Sequence, residues 1–283
     1  MKRASPTKWW LPFVVLMVVA AILAIRYLSP LRNAEGFHIP SAAQAIEAQE
    51  RFAAVLQGDS ISPPSGLMRE DDNGVTLISE PDNDCRGRGS YVLRRDGSNQ
   101  IAILAPHRGS DLFTGTITAR LFDEEAASAA AWNSAPRHGG ANCAGGDPTR
   151  HETHYLTAFS LAFAERYPAG RIVQLHGFDR DKRASRAAQL VDIIVSDGTN
   201  APNAGLLDLA DCLSRELHPL RVAVYPGDVA ELGALSNRQG QALHAAGFSG
   251  FAHVEMARSV RQSLANDRAI RARFARCLTA GLS

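Results

Sequence analysis

Three residues that could act together on a metal ion follow three apolar segments of the chain. His107 ends the segment IAILAPH, His176 ends IVQLH, and Glu255 ends FAHVE. Burying each of them singly would require a hydrogen-bond partner for the imidazole and a counter-charge for the carboxylate. Two imidazoles and one carboxylate also form the ligand set of a catalytic zinc ion, which keeps one position open for water. Their recurrence at strand ends therefore favours a metal site over three separate packing roles.

Asp111 lies four residues after His107 in the segment PHRGSD, and three roles are open to it. The intervening Gly-Ser pair favours a turn that folds the carboxylate back toward His107. There Asp111 would be the third metal ligand, which leaves Glu255 as the general base. Alternatively, Asp111 hydrogen-bonds a ligand imidazole without binding the metal, or it caps a helix that begins near Thr114.

The elements that would position these residues form a β/α alternation that begins near Gly74. Apolar strands such as QIAILA, RIVQLHGF, LVDIIVS and GFAHVEMA alternate with helical segments, among them 116–131, 231–247 and 258–282. The pattern predicts a single α/β domain whose mixed, mainly parallel sheet is covered by helices on both faces. Ligands of open α/β sheets bind beyond the carboxyl ends of the strands, so the strand-end residues are expected in one crevice.

The order of these motifs resembles that of the zinc-dependent carboxypeptidase-like amidohydrolases. This group includes the zinc carboxypeptidases, the N-formylglutamate amidohydrolases and the phage poly-γ-glutamate hydrolases. APHRGSD is similar to the Pro-His-Gly-Gly motif of the phage enzymes, VQLHGF to their second histidine strand, and FAHVEM to their glutamate strand. The resemblance runs from Ile101 to Arg261 through short motifs and their order. Two departures concern the first acid: the carboxypeptidase pattern is His-x-x-Glu, whereas Asp111 is four residues from His107, and Arg108 replaces the first glycine.

The resemblance implies one zinc ion held by His107, Asp111 and His176, with Glu255 activating the metal-bound water. The expected activity is hydrolysis of an amide bond in a peptide, a γ-glutamyl compound, a cell-wall fragment or an N-acyl amino acid. Zinc suits this chemistry because it lowers the pKa of its water from 15.7 to about 7 and polarises the amide carbonyl.

An arginine would hold a substrate carboxylate through two parallel hydrogen bonds. Arg137 is the first candidate because it lies in a glycine-rich loop between the two histidine strands. Arg258 and Arg261, which directly follow the Glu255 strand, are its rivals. For each of the three, a simple surface role is the alternative.

Three further polar residues are expected near the crevice. His154, which with His151 in RHETHY gives a weak metal signal, would line it from the helix that precedes the His176 strand. Asn237, in the polar segment SNRQGQ, would contact substrate, with a solvated helix face as the alternative. His253 lies two residues before Glu255 and so points to the same face of the sheet, as a core histidine or as a partner of a ligand.

The N-terminus predicts a membrane anchor. Lys2, Arg3 and Lys8 precede seventeen uncharged, mostly apolar residues, 9–25, which is the lower limit for a helix that spans a bilayer. The excess of positive charge before the span puts the N-terminus in the cytoplasm. Residues 1–35 are then a cytoplasmic tip, anchor and linker, and 36–283 an exported domain. A cleaved signal peptide is the alternative, and it exports the same domain.

Cysteine use agrees with export. The four cysteines, Cys85, Cys143, Cys212 and Cys277, form no C-x-x-C pair, and two disulfides are expected in an oxidising compartment. Because Cys212 and Cys277 each lie in a predicted helix, the pairing 212–277 with 85–143 is favoured over free buried thiols. The net charge of +1 gives no electrostatic case for binding nucleic acid.

Two alternatives to a zinc hydrolase stay open at this point. A non-catalytic binding or scaffold domain would keep the fold without the metal, and the altered acid and Arg108 are what favour it. An enzyme that binds another divalent metal is the second alternative.

Overall fold

The computed structural model describes residues 36–82, 84–95, 97, 99–140 and 143–282. The predicted anchor at 9–25 lies outside the described residues. Within the described ranges, every helix is too short or too polar to cross a membrane.

Within this part of the chain, nine strands form one mixed sheet in the order β1-β2-β3-β5-β4-β6-β9-β7-β8. The strands are β1 Met68–Asp72, β2 Val75–Ser79, β3 Ser90–Arg94, β4 Ile101–Ala105, β5 Ala129–Trp132, β6 Arg171–Phe178, β7 Ile193–Ser196, β8 Val222–Val224 and β9 Phe251–Ala257. The central strands β5, β4, β6 and β9 are parallel, as are β7 and β8, and the other neighbours are antiparallel. The mixed sheet is as predicted, but parallel pairing does not predominate over the whole sheet because a meander of β1, β2 and β3 extends one edge.

Helices cover both faces of the sheet. They are α1 Ala42–Leu56, α2 Thr114–Asp123, α3 Tyr155–Arg166, α4 Arg186–Leu190, α5 Ala204–Glu216, α6 Arg238–Ala245, α7 Arg258–Asn266 and α8 Arg268–Cys277. Alternate residues of β4 join two separate apolar cores: Ile101 and Ile103 belong to the core that contains α2, α5, α7 and α8 residues, and Leu104 to the core of α1, α3 and α6. Each face of the sheet is therefore buried, which explains why β4 is apolar at every position.

Three predicted helices differ in the structure. The segment 116–131 divides into α2 and the strand β5, whose sequence AAAW pairs with β3 and β4. The segment 231–247 forms a helix only from Arg238, because Leu232 and Ala234 have left-handed backbone conformations. The segment 258–282 divides at Asp267, whose side chain caps α8.

Both predicted disulfides are confirmed. Cys212 of α5 is bonded to Cys277 of α8, and Cys85 is bonded to Cys143. The second bond ties the long loop between β5 and α3 to the loop between β2 and β3.

Candidate metal centre

The three strand-end residues meet at one edge of the sheet. β6 lies between β4 and β9, all three are parallel, and His176 is directly opposite Glu255 in the register. His107 follows β4 by two residues and reaches the same edge. They line a cavity of about 270 Å³, together with Asp111, Arg137, Asp147, Thr149, Arg150, Gly177, Leu232, Ala234, Ser236, Asn237 and His253.

Asp111 lies between the two imidazoles. Its Oδ2 atom is 3.5 Å from Nδ1 of His107 and 3.4 Å from Nδ1 of His176. The backbone N–H of Gly177 donates to the same oxygen at 3.1 Å. One donor atom from each of the three residues lies within 4.8 Å of the other two, and the Nδ1 atom of His107 is buried without a hydrogen-bond partner among the described residues. Two imidazole nitrogens and one carboxylate oxygen at these separations fit a divalent metal ion such as zinc.

The helix-capping alternative for Asp111 is excluded. Phe113 occupies the N-cap position of α2 with a φ of 77°, and no side chain caps this helix. Thr114 instead bonds to the backbone carbonyl of Asp111. The side chain of Asp111 is thus free to act at the two histidines.

Each imidazole is held from its outer side by a second residue. The Nε2 atom of His107 is 2.7 Å from Oδ1 of Asp147, and Nε2 of His176 is 3.0 Å from Oε1 of Gln174. Such outer partners set the orientation and tautomer of histidines that bind metals. In both cases the Nδ1 atom is left to face the centre.

Asp147 and Gln174 are not among the residues predicted from the sequence. Gln174 carried a usable signal, because it is a polar residue in an apolar strand, two positions before His176 and so on the same face. Asp147 lies in a glycine-rich loop, where local sequence does not show which side chain turns inward.

The charges of the centre are strongly coupled. Burial opposes ionisation of Asp111, but its interactions with the nearby imidazoles of His107 and His176 outweigh burial, and the pKa of Asp111 is well below its usual range. Burial also opposes the charged form of His107, yet Asp111 and Asp147 together raise its pKa above the ordinary value. For His176 burial dominates and the pKa is lowered. The centre therefore holds an ionised carboxylate between its imidazoles.

Glu255 and His253 form the wall of the cavity on β9. Burial, followed by the charge of Asp111, raises the pKa of Glu255 to about 8. Within the described part of the chain, its Oε2 atom has no hydrogen-bond partner, and its Oε1 atom is 3.7 Å from Nε2 of His253. His253 is also buried, with its ring 4.5 Å from that of His176, and no described residue hydrogen-bonds its Nδ1 atom. His176, His253 and Glu255 are a second group whose donor atoms lie within 4.8 Å of one another.

The arginines divide into two at the cavity and two away from it. Arg137 lines the cavity, with its guanidinium 3.0 Å from Oδ2 of Asp147, and Arg150 reaches the same oxygen at 3.6 Å. Arg258 is exposed at the start of α7 and does not line this cavity. Arg261 is buried and donates to the carbonyls of Leu112 and Met256, which is a structural position. Arg150 was not among the predicted residues.

Two other predicted substrate contacts have different surroundings. His154 is buried away from the cavity as the N-cap of α3: its Nδ1 accepts from the N–H of Leu156, and its Nε2 bonds to the carbonyl of Gly87. Its position corrects the expectation that it lines the site. Asn237 does line the cavity, but its side chain caps α6 through Gly240 and donates to Gln174.

The chain matches no protein-family model, and no curated protein matches it. Several solved structures show a limited similarity to this chain. An N-formylglutamate amidohydrolase from Ralstonia eutropha JMP134 has 16% identity over 68% of this chain and 94% of its own, with a TM-score of 0.42. An aspartoacylase family protein from Mesorhizobium loti MAFF303099 has 9% identity over 76% of this chain and 71% of its own, with a TM-score of 0.44. Similarity at this level assigns no activity to this chain.

Proposed function

We propose that this protein is a zinc-dependent hydrolase of amide bonds in peptides, γ-glutamyl compounds, cell-wall fragments or N-acyl amino acids. The observation that carries the proposal is the convergence of His107 Nδ1, Asp111 Oδ2 and His176 Nδ1 beside the buried Glu255. Isolated core histidines would each need their own partner, whereas one ion satisfies all three donors.

His107, Asp111 and His176 would hold the zinc ion. When bound, zinc supplies a water of lowered pKa and polarises the carbonyl of the substrate. The three residues provide two neutral nitrogens and one anionic oxygen, the ligand set of many catalytic zinc sites. Asp147 and Gln174 keep the two imidazoles turned toward the ion.

Glu255 is proposed as the general base. Its free Oε2 atom lies in the wall of the cavity, where it can take a proton from the attacking water and pass it to the departing amine. A pKa of about 8 in the metal-free protein lies near neutral pH, which is the range in which a carboxyl group serves in both directions. A nearby cation shifts this group toward its ionised form.

Arg137 and Arg150 are proposed to bind a carboxylate of the substrate. Both guanidinium groups contact the one carboxylate of Asp147, so these two cations carry one positive charge more than the anion they share. A free carboxylate of the substrate would neutralise it through paired hydrogen bonds. This preference favours substrates that carry an acidic group next to the amide bond.

We also propose that the domain is exported and held at the membrane by the segment 9–25. Support comes from the two disulfides within the domain, which persist in oxidising compartments.

The proposal is tested by measuring the metal content of the purified full-length protein. Wild-type protein is expected to bind one zinc ion, and His107→Ala or His176→Ala to lose it. The exposed His138 provides a matched control, since His138→Ala removes an imidazole of the same region. Metal-free protein whose melting temperature is unchanged by zinc or a chelator would leave only the binding or scaffold alternative. Activity restored better by manganese or cobalt would instead identify a different metal.

A further inference from the structure

A chain of buried side-chain amides extends from His176 to the loop that carries Asp147. Gln174 and Gln239 are fully buried, and Asn237 is nearly so. The Nε2 atom of Gln174 donates to Oε1 of Gln239 at 3.2 Å. The Nε2 atom of Gln239 in turn donates to the backbone carbonyl of Pro148 and to the hydroxyl of Thr157, both at 2.9 Å.

The direction of every hydrogen bond in this series of amides is determined at the end away from His176. The carbonyl of Pro148 can only accept, so the NH₂ group of Gln239 must face it and its oxygen must face Gln174. The NH₂ group of Gln174 is then turned toward Gln239, and its oxygen toward His176. The Nε2 atom of His176 must therefore carry the hydrogen.

A second anchor gives the same direction independently. The Oδ1 atom of Asn237 accepts the backbone N–H of Gly240, which can only donate, so the NH₂ group of Asn237 faces Gln174. The Oε1 atom of Gln174 accepts this hydrogen bond from Asn237. The same oxygen contacts Nε2 of His176. Both anchors require one tautomer of His176.

We propose that Gln174 is a positioning residue that fixes His176 with its hydrogen on Nε2 and its lone pair on Nδ1. The inference deepens the proposed function and rests on it. Because Pro148 directly follows Asp147, the same hydrogen-bonded chain links the outer partners of both ligand histidines. Gln174 thus couples the orientation of His176 to the loop that orients His107.

The tautomer can be read in the metal-free protein by long-range ¹H–¹⁵N correlation spectra of the histidine rings. Wild-type His176 is expected to carry its hydrogen on Nε2. Gln174→Leu removes the accepting oxygen and is expected to shift His176 to a mixture of tautomers. Gln174→Glu keeps an oxygen that accepts from Nε2 of His176 and is expected to keep the wild-type tautomer. Gln241 is an exposed amide on α6, and Gln241→Leu is the matched control. It is expected to change neither the tautomer of His176 nor the zinc affinity measured below.

Zinc affinity is the second measurement, made by competition with a chromophoric chelator. Gln174→Leu is expected to weaken zinc binding by roughly 10–100-fold, which is typical for the loss of an outer partner of a ligand. If Gln174→Leu fails to fold, Asn237→Asp replaces it for the tautomer measurement, since it keeps the cap to Gly240 but turns an acceptor toward Gln174. The inference would be overturned if His176 of the wild-type protein carried its hydrogen on Nδ1. It would also be overturned if Gln174→Leu folded and left the tautomer of His176 and the zinc affinity unchanged. Wild-type protein that binds no zinc contradicts the proposed function, and the tautomer then decides the inference alone.

Discussion

The imidazole of His107 and the carboxylate of Asp147 are joined by a 2.7 Å hydrogen bond across 40 residues of sequence. Asp147 is ionised, because its hydrogen bond with His107 lowers its pKa against the effect of burial. An ionised carboxylate can only accept, so Nε2 of His107 carries a hydrogen and Nδ1 is directed at Asp111. A loop residue thus selects which nitrogen of a strand-end histidine is available to a metal.

Removing this carboxylate is expected to weaken metal binding without unfolding the domain. Asp147→Ala leaves Nε2 of His107 without its partner, and zinc affinity should fall by roughly 10–100-fold. Asp179→Ala is the matched control, because Asp179 also caps a short 3-10 helix but bonds no histidine. Isothermal titration with zinc checks both variants. Equal losses of zinc affinity in Asp147→Ala and Asp179→Ala would show that the effect comes from the lost cap of a 3-10 helix.

Glu255→Gln is expected to separate metal binding from catalysis. The amide keeps the shape of the side chain but cannot take a proton, so hydrolysis should fall by roughly 10²–10⁴-fold while zinc content stays at the wild-type level. Metal analysis and turnover of an N-acyl amino acid are measured on the same preparation. Glu165→Gln, on the exposed end of α3, serves as the control. Loss of zinc in Glu255→Gln would make Glu255 a ligand rather than the base.

The part of the site that sequence could predict is the part that the sheet determines. His107 follows β4, His176 and Glu255 lie near the carboxyl ends of β6 and β9, and parallel strands bring these ends to one edge. The central sheet and the Cys212–Cys277 pair, which joins two helices, were predictable for the same reason, whereas Cys85–Cys143 joins two loops and followed as the remaining pair. The strand AAAW of β5 was not predictable, because alanine favours helices and only pairing with β3 and β4 overrides that preference.

The parts that could not be predicted depend on loops and helix ends. Asp147 reaches His107 because the loop before α3 folds over the edge of the sheet. Gln239 meets Gln174 because α6 begins at residue 238, seven residues later than the sequence pattern indicates. The role of His154 as an N-cap leaves little trace in the sequence, because serine, threonine, aspartate and asparagine are the usual N-cap residues.

The two disulfides close segments of similar length, but they are expected to differ in their effect on the metal centre. They close segments of 58 and 65 residues, so the loss of either should destabilise the fold by about 4 kcal/mol through the entropy of the unfolded chain. Only Cys85–Cys143 holds the loop that carries Arg137 and Asp147. Replacing both members of that pair by serine should therefore also weaken zinc binding and raise KM.

The serine variant of Cys212 and Cys277 is the control for that experiment. It should lose stability in urea denaturation but keep wild-type zinc affinity and KM, because this bond joins α5 to α8 away from the cavity. If both double variants retain the same zinc affinity, the loop keeps its position without the bond.

His154 is expected to make the stability of the domain depend on pH between about 4 and 6.5. Burial lowers its pKa to about 4, whereas an unfolded histidine has a pKa near 6.5. Above pH 6.5 the group is neutral in both states and its contribution is fully present. As the pH falls toward 4, the unfolded chain binds a proton that the folded chain does not, and at most about 3 kcal/mol of stability is lost.

His154→Asn tests this dependence. Asparagine keeps an N-cap acceptor for Leu156 and does not titrate, but it forfeits the bond to Gly87, which costs about 1 kcal/mol at neutral pH. Urea denaturation of the metal-free proteins at pH 7.5, 5.5 and 4.5 gives the free energy of unfolding of each. The wild-type advantage should shrink and then reverse as the pH falls, whereas His138→Asn, at an exposed position, should stay parallel to wild type. Parallel curves for wild type and His154→Asn would show that folding leaves the pKa of His154 unchanged, which would contradict the prediction.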